Sequence, residues 1–252
     1  MSGSARALVV IPTYNEAENV ADIVATVFAS VPSAHVLVVD DGSPDGTGDI
    51  VEERSREDDR VHLLRRSGKL GLGTAYVAGF RWGLERGFDL LIEMDADGSH
   101  PADRLPAMID AVDADPAVLL AIGSRWTRGG SVVDWPWYRE FLSRGGNAYA
   151  RLMLAIDVRD ITAGFRVYRA EAIERMDLGS IDSKGYCFQV DMTIRVHDLG
   201  GRIVEVPIRF RDRIHGVSKM SQAIVLEAML RVTQWGLQRR LGSRRTRQTA
   251  TR

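Results

Sequence analysis

The stretch ALVVIPTYNEAENVADIVATVFASVPSAHVLVVDD, from Ala7 to Asp41, decides the fold. Its first residues, Ala7–Ile11, are an unbroken apolar run, the pattern of a strand covered on both faces. From Glu16 to Ser30 the apolar positions Val20, Ile23, Val24, Val27 and Phe28 recur at helical spacing. A second apolar run, Val36–Asp40, predicts a second strand. Strand, helix and strand in so short a span make a unit whose two strands lie parallel.

The same alternation continues outward. A helix over Thr47–Arg56 leads to a strand at Val61–Leu64, and the glycine-rich SGKLGLG opens a helix over Thr74–Glu85. Leu90–Met94 is a fourth strand, a helix begins after Ser99-His100-Pro101, and Val118–Ile122 is a fifth strand. The fold class is therefore α/β, a doubly wound and mostly parallel sheet. After Gly123 the pattern changes. Ser124–Tyr138 reads as a loop and Arg139–Ala155 as a helix; strands at Phe165–Arg169 and Ile203–Phe210 surround a helix at Phe188–Leu199. A last helix, Ser221–Leu241, is amphipathic and precedes a basic end. One domain over 1–238 with a disordered tail over 239–252 is the expectation.

At 252 residues, with 45% hydrophobic and 27% charged, the chain can bury one sizeable core. It has no apolar run of membrane-spanning length, and MSGSARALVV lacks the apolar region and cleavage site of a secretory signal. The single cysteine, Cys187, permits no internal disulfide, which fits a reducing cytosol. The tail holds six arginines, at 239, 240, 244, 245, 247 and 252; taking them from the formal net charge of −1 leaves −7 on the rest. An acidic body argues against nucleic acid as partner, and a cationic end suits an anionic membrane surface.

The acids carry the chemistry. Asp40-Asp41 end the second strand and Asp95-Ala96-Asp97 end the fourth, and strand ends of a parallel sheet share one rim where ligands bind. Asp95 and Asp97, two apart in extended chain, point the same way and suit Mg²⁺ or Mn²⁺ held against a diphosphate. Other patterns fail. Asp41–Glu52 nearly matches a calcium loop, but a strand precedes it and Gly48 takes an apolar position. Gly71-Leu-Gly73 resembles a dinucleotide fingerprint, but Tyr76 replaces the third glycine, and no Walker sequence occurs. Thr13 and Glu16 form a capping box for the first helix, leaving Tyr14 exposed at the rim. Basic residues gather where phosphates need them: Arg125 after the fifth strand, Arg139 with Ser143 one turn on, and Arg213 and Lys219 around a glycine turn.

Together PTYNE (Pro12–Glu16), VVDDGSPDGT (Val38–Thr47), KLGLGTAY (Lys69–Tyr76), MDADGSHP (Met94–Pro101), GSRW (Gly123–Trp126), DITAGFRVYR (Asp160–Arg169), SKGYCFQVDM (Ser183–Met192) and DRIHGVSK (Asp212–Lys219) resemble the dolichol-phosphate (polyprenol-phosphate) mannose synthases, inverting glycosyltransferases of GT-A fold. The resemblance runs from about residue 6 to 222. It implies GDP-mannose as donor and a polyprenyl phosphate as acceptor. By position, Pro12, Tyr14, Glu16, Val39 and Asp41 would hold the guanosine. Asp95, Ala96, Asp97, Arg213 and Lys219, with Arg125 beside them, would handle the diphosphate and its metal. Arg125, Arg139 and Ser143 would take the acceptor phosphate. Some relatives carry glutamine where Ser99 stands, and many carry C-terminal membrane helices that are missing here.

A phosphate monoester is already anionic at neutral pH, so the expected reaction needs no carboxylate base; Asp97, Arg125 and Arg139 carry it, and Glu93 is a buried partner. A UDP-sugar transferase acting on the same lipid, or a catalytically silent regulatory subunit, are the rival readings. The acceptor's chain places the protein on the cytoplasmic face of a membrane, held there directly or by an integral membrane partner.

Overall fold

The computed structural model describes residues 5–181, 186–212 and 222–249. Strands β1 (Ala7–Thr13) and β2 (His35–Asp40) flank helix α1 (Val20–Ser30). Then come α2 (Thr47–Glu57), β3 (Val61–Arg65), α3 (Leu72–Leu84), β4 (Leu90–Glu93), α4 (Leu105–Asp113) and β5 (Val118–Ser124). The second half adds β6 (Ser131–Val133), α5 (Trp137–Leu154), β7 (Arg166–Arg169), α6 (Ala170–Glu174), α7 (Tyr186–Asp198), β8 (Arg202–Pro207), β9 (Arg209–Arg211) and α8 (Gln222–Thr249).

Seven strands form one sheet in the order β3-β2-β1-β4-β7-β5-β8, while β6 and β9 pair apart. All neighbours in the main sheet are parallel except β7, which runs antiparallel to β4 and β5. Two reversals cancel, so the ends of β2, β1, β4 and β5 still face one rim. The strand order turns back between β1 and β4, and such a switch point opens a ligand crevice.

Alternation along the strands builds two apolar layers. Leu8, Val10, Leu37, Val39 and Leu91 pack beneath α3 and α7; Val9, Ile11, Val36, Val38 and Ile92 pack beneath α1 and α4. Helix α3 lies close on the sheet through Gly79, where a Cβ would come within 2.4 Å of Val10 Cγ1. Tyr149 on α5 hydrogen-bonds Thr233 on α8. The backbone of Met153 fills the space beside Gly236, so these two helices are one packed pair.

Three expectations are corrected. Helix α1 starts at Val20, not Glu16, so Thr13 and Glu16 are no capping box: Thr13 lies on β1 and its hydroxyl donates to Asp40 Oδ1 at 3.0 Å. A buried aspartate at the neighbouring strand end competes for that hydroxyl and wins it. Strand β4 stops at Glu93, so Asp95 and Asp97 lie in a turn rather than in extended chain. Gly98 at φ +72° closes that turn in a conformation glycine adopts freely. Finally, the last helix does not stop at Leu241 but runs on to Thr249, so the basic segment is helical through that residue. Between Leu241 and Thr249 it has no proline, and arginine and glutamine are good helix formers.

Candidate active site

The rim holds the acids at different depths. Asp40, at the tip of β2, is buried and used locally: Oδ1 accepts from Thr13 and Ser43 hydroxyls, and Oδ2 accepts the Ser43 N–H at 3.0 Å. Asp41 turns to Arg66, whose Nε lies 3.2 Å from Oδ1. Burial pushes the Asp41 carboxyl above its ordinary range, and the Arg66 guanidinium opposes the shift. The segment that resembled a calcium loop is committed elsewhere: Asp45 caps the Thr47 N–H at 3.1 Å and accepts the Ala17 N–H at 3.0 Å.

Asp95 is held from two sides. The Tyr76 hydroxyl donates to Oδ1 at 3.1 Å, and the Asp95 N–H donates to His100 Nδ1 at 3.0 Å. That bond makes Nδ1 the acceptor and leaves the imidazole proton on Nε2, 4.0 Å from Asp95 Oδ2. Burial drives the Tyr76 phenol far up, so it stays a donor. Asp97 accepts the Ser99 N–H at 3.0 Å, which fixes the turn. These two carboxylates fit a hard divalent cation. Among the described residues no group of three or more potential ligands occurs.

Glu93 lies below the turn, fully buried, with Oε2 accepting from Gln189 Nε2 at 2.6 Å. Burial pushes its carboxyl up to about 7 against the pull of Arg166. Arg166, also fully buried, is spread over Ala163, Ile161, Gln189 and Thr193. Glu93 is thus a buried partner of Gln189, at the depth the alternation of the strand implied.

Arg125 follows β5 and is locked by Asp160, which accepts from its Nε at 2.8 Å and its Nη2 at 2.6 Å. Asp160 is itself buried and takes a third bond from the Arg125 backbone N–H. Thr162 links this pair to α5: its hydroxyl accepts from Arg125 Nη2 at 3.2 Å and from Asn147 Nδ2 at 3.1 Å. Asn147 also donates to the Ser143 carbonyl at 2.9 Å. Arg139, Ser143 and Asn147 stand at successive turns on one face of α5. Arg139 donates to Asp212 at 2.7 Å and stacks on Trp135. His100, Arg125, Phe165 and Phe210 line one cleft, which joins the support of Asp95 to the arginine cluster.

Of the expected donor residues, Tyr14 is exposed with the Lys69 ammonium 4.2 Å over its ring, and Pro12 is partly buried beside it. Glu16 accepts from the Asn19 side chain, and its backbone N–H donates to Thr47, across the turn from Tyr14. The side chains of Val39 and Ala96 are buried, so any contact they make with a ligand is through backbone. Arg213 and Lys219 lie outside the described residues. Tyr76, His100, Asn147, Asp160 and Thr162 were not singled out for roles in the site; Tyr76, His100, Asp160 and Thr162 do fall inside the motifs quoted above, the only signal that could have found them.

Residues 8–177 match the model of the family described as Glycosyl transferase family 2. The chain is 54% identical over 94% of its length to a polyprenol monophosphomannose synthase of Mycolicibacterium smegmatis, covering 89% of that protein. It is also 54% identical over 96% of its length to an undecaprenyl-phosphate mannosyltransferase of Micrococcus luteus, covering 98% of it. Among solved structures it resembles a mannosyltransferase of Pyrobaculum calidifontis in complex with GDP-mannose and Mn²⁺, with TM-score 0.56 and 17% identity, covering 85% of this chain and 58% of that one. A glucosyl-3-phosphoglycerate synthase of Mycobacterium tuberculosis, in complex with Mn²⁺, UDP and glucosyl-3-phosphoglycerate, gives TM-score 0.62 and 20% identity, covering 94% and 80%. At such identities the two structures bear on the fold alone.

Proposed function

The chain belongs to glycosyl transferase family 2, and from that premise we propose that it transfers mannose from GDP-mannose to a polyprenyl phosphate with inversion, giving polyprenyl β-mannosyl phosphate and GDP. The observation that carries this reading is the 54% identity to a polyprenol monophosphomannose synthase and to an undecaprenyl-phosphate mannosyltransferase, across 89% and 98% of their lengths. The rim geometry agrees with it: acids at the end of β2 and in the turn after β4 flank β1, and the arginines after β5 and on α5 stand beyond them.

Asp95 and Asp97 are the residues that would hold Mg²⁺ or Mn²⁺. When bound, such a cation supplies positive charge to the diphosphate leaving group. Tyr76 and His100 keep Asp95 in place for it. Asp41, Tyr14 and Glu16 bound the side of the crevice where the nucleoside would lie. Arg125 and Arg139 orient the acceptor phosphate, with Ser143 on the same helix face as Arg139. An oxygen of that phosphate attacks the sugar carbon as the bond to GDP breaks. The monoester's second pKa of about 6 leaves it charged at neutral pH, so no side chain has to remove a proton. Glu93 is not a base, because it is enclosed and bonded to Gln189.

No helix among the described residues is long and apolar enough to cross a membrane. Contact with the lipid acceptor falls instead to the packed pair α5 and α8. Trp137, Tyr138, Phe141 and Leu142 are exposed at the start of α5, and Leu230, Leu237 and Leu241 along α8. An apolar face beside arginines suits the interface of an anionic leaflet. Flotation with anionic vesicles, before and after deletion of residues 239–252, tests this; protein that never floats in either form requires a membrane partner instead.

The transfer itself is tested by offering labelled GDP-mannose, UDP-glucose and UDP-N-acetylhexosamine separately, with polyprenyl phosphate and either Mg²⁺ or Mn²⁺. Label should enter lipid from GDP-mannose alone. Label entering from a UDP-sugar instead transfers the assignment to the rival donor.

A further inference from the structure

The arginines around the proposed acceptor site already face carboxylates. Arg125 lies 2.6 Å from Asp160, Arg139 2.7 Å from Asp212, and Arg144 2.8 Å from Glu140. Their charge is largely balanced, so a doubly negative headgroup needs further N–H donors that no carboxylate occupies. Three such donors are gathered there. Trp126 Nε1, Trp135 Nε1 and Arg139 Nε are each enclosed, and none has a hydrogen-bond partner among the described residues. Indole N–H can only donate, and an enclosed donor without an acceptor is a standing cost to the fold.

These groups belong to one cluster. The rings of Trp126 and Trp135 meet edge to face at 6.3 Å, and Trp135 meets Phe210 likewise at 5.6 Å. Arg139 stacks on Trp135 at 4.0 Å and Arg144 on Trp126 at 4.2 Å, while Arg125 lies 5.5 Å from both indoles. Trp126 directly follows Arg125, and Trp135 stands just before the N-terminus of α5, a helix of 18 residues whose dipole favours an anion at that end. We propose that the indole N–H groups of Trp126 and Trp135, together with Arg139 Nε, form a donor-only cradle for the phosphate monoester head of the acceptor. This rests on the reading above that Arg125 and Arg139 receive that phosphate. The indoles thus have two tasks: their faces fix the guanidiniums, and their N–H edges bind oxygen.

The test uses the full chain with its tryptophans labelled with ¹⁵N. The sequence has five tryptophans, so five indole N–H resonances are expected, each assignable by its own Trp→Phe substitution. The probes are a short soluble prenyl phosphate, the matching prenyl alcohol, inorganic phosphate and GDP. Prenyl phosphate should move the Trp126 and Trp135 resonances downfield, with Trp82 and Trp235 still; alcohol and GDP should move neither. Movement with inorganic phosphate too supports the cradle and locates recognition in the phosphate alone. If calorimetry shows prenyl phosphate bound while both resonances stay, their N–H groups point at neighbouring rings and the cradle is wrong, although the acceptor assignment survives. If no prenyl phosphate binds at all, the acceptor assignment falls first and takes the cradle with it. In turnover, Trp135→Phe keeps an aromatic ring and loses the N–H, so acceptor KM should rise about tenfold with kcat and donor KM unchanged. An unchanged acceptor KM overturns the proposal.

Discussion

Tyr76 stands where a dinucleotide-binding helix would place its third glycine, and that substitution changes what the rim can bind. Its hydroxyl reaches Asp95 Oδ1, so a helix that elsewhere presents bare backbone to a pyrophosphate here braces a carboxylate. Side-chain roles of this kind were only half legible in the sequence. The places of Asp95 and Arg125 just beyond strand ends were legible, because the pattern locates strand tips. Their supports were not, because Tyr76 reaches Asp95 across 19 residues and Asp160 reaches Arg125 across 35. Two substitutions separate the roles. Asp97→Ala should abolish mannosyl transfer, whereas Arg139→Ala should bind GDP with Mn²⁺ as the unaltered chain does while losing at least about tenfold in acceptor kcat/KM. Calorimetry for GDP and turnover with both substrates check the pair; transfer retained in the aspartate variant counts against the assignment of the metal site.

Among the elements, α5 matters most. Its predicted start, Arg139, falls two residues after the observed Trp137, because Trp137 and Tyr138 are exposed and their apolar character reads as loop packing. In the proposed acceptor site the helix would present Arg139 and Ser143 only as well as it is held, and Asn147 and Thr162 link it to Arg125. Thr162→Val preserves shape and removes that link. Acceptor KM should rise several-fold to tenfold with donor KM and melting temperature nearly unchanged, an effect of about 1 kcal/mol. A fall in melting temperature with normal KM would show that the link serves the fold alone. Strand β7 was expected at Phe165–Arg169, but its antiparallel direction was not legible, since a strand as short as RVYR carries no direction in its sequence. Nor was β6, whose exposed and half-buried residues lack the alternation of a covered strand.

At the scale of the molecule, the parallel sheet was readable from its first unit, because both faces are covered there and β1 and β2 are therefore continuous apolar runs. Buried ionisable groups make this body sensitive to pH in two opposed ways. Folding raises Glu93 from 4.5 to about 7, so the folded chain binds a proton the unfolded one releases, and stability falls as pH rises from about 4.5 through 7. The full span is on the order of 3 kcal/mol. His35 and His62, stacked with their nitrogens 3.0 Å apart, are both lowered, chiefly by burial, so their contribution is present above 6.5 and lost on acidification. Melting curves from about pH 5 to 8 should therefore show Glu93→Gln losing less stability than the unaltered chain as pH rises, and His62→Gln losing less as pH falls. Parallel curves would contradict both assignments.

All of these roles depend on Asp95 and Asp97 facing a nucleotide diphosphate across the crevice between β1 and β4. A crystal structure of the chain with GDP and Mn²⁺ tests this most directly. Expected is the metal bridging those two carboxylates and the diphosphate, with the guanosine beside Asp41 and Tyr14. Nucleotide bound elsewhere, or either carboxylate turned away from the metal, would contradict it.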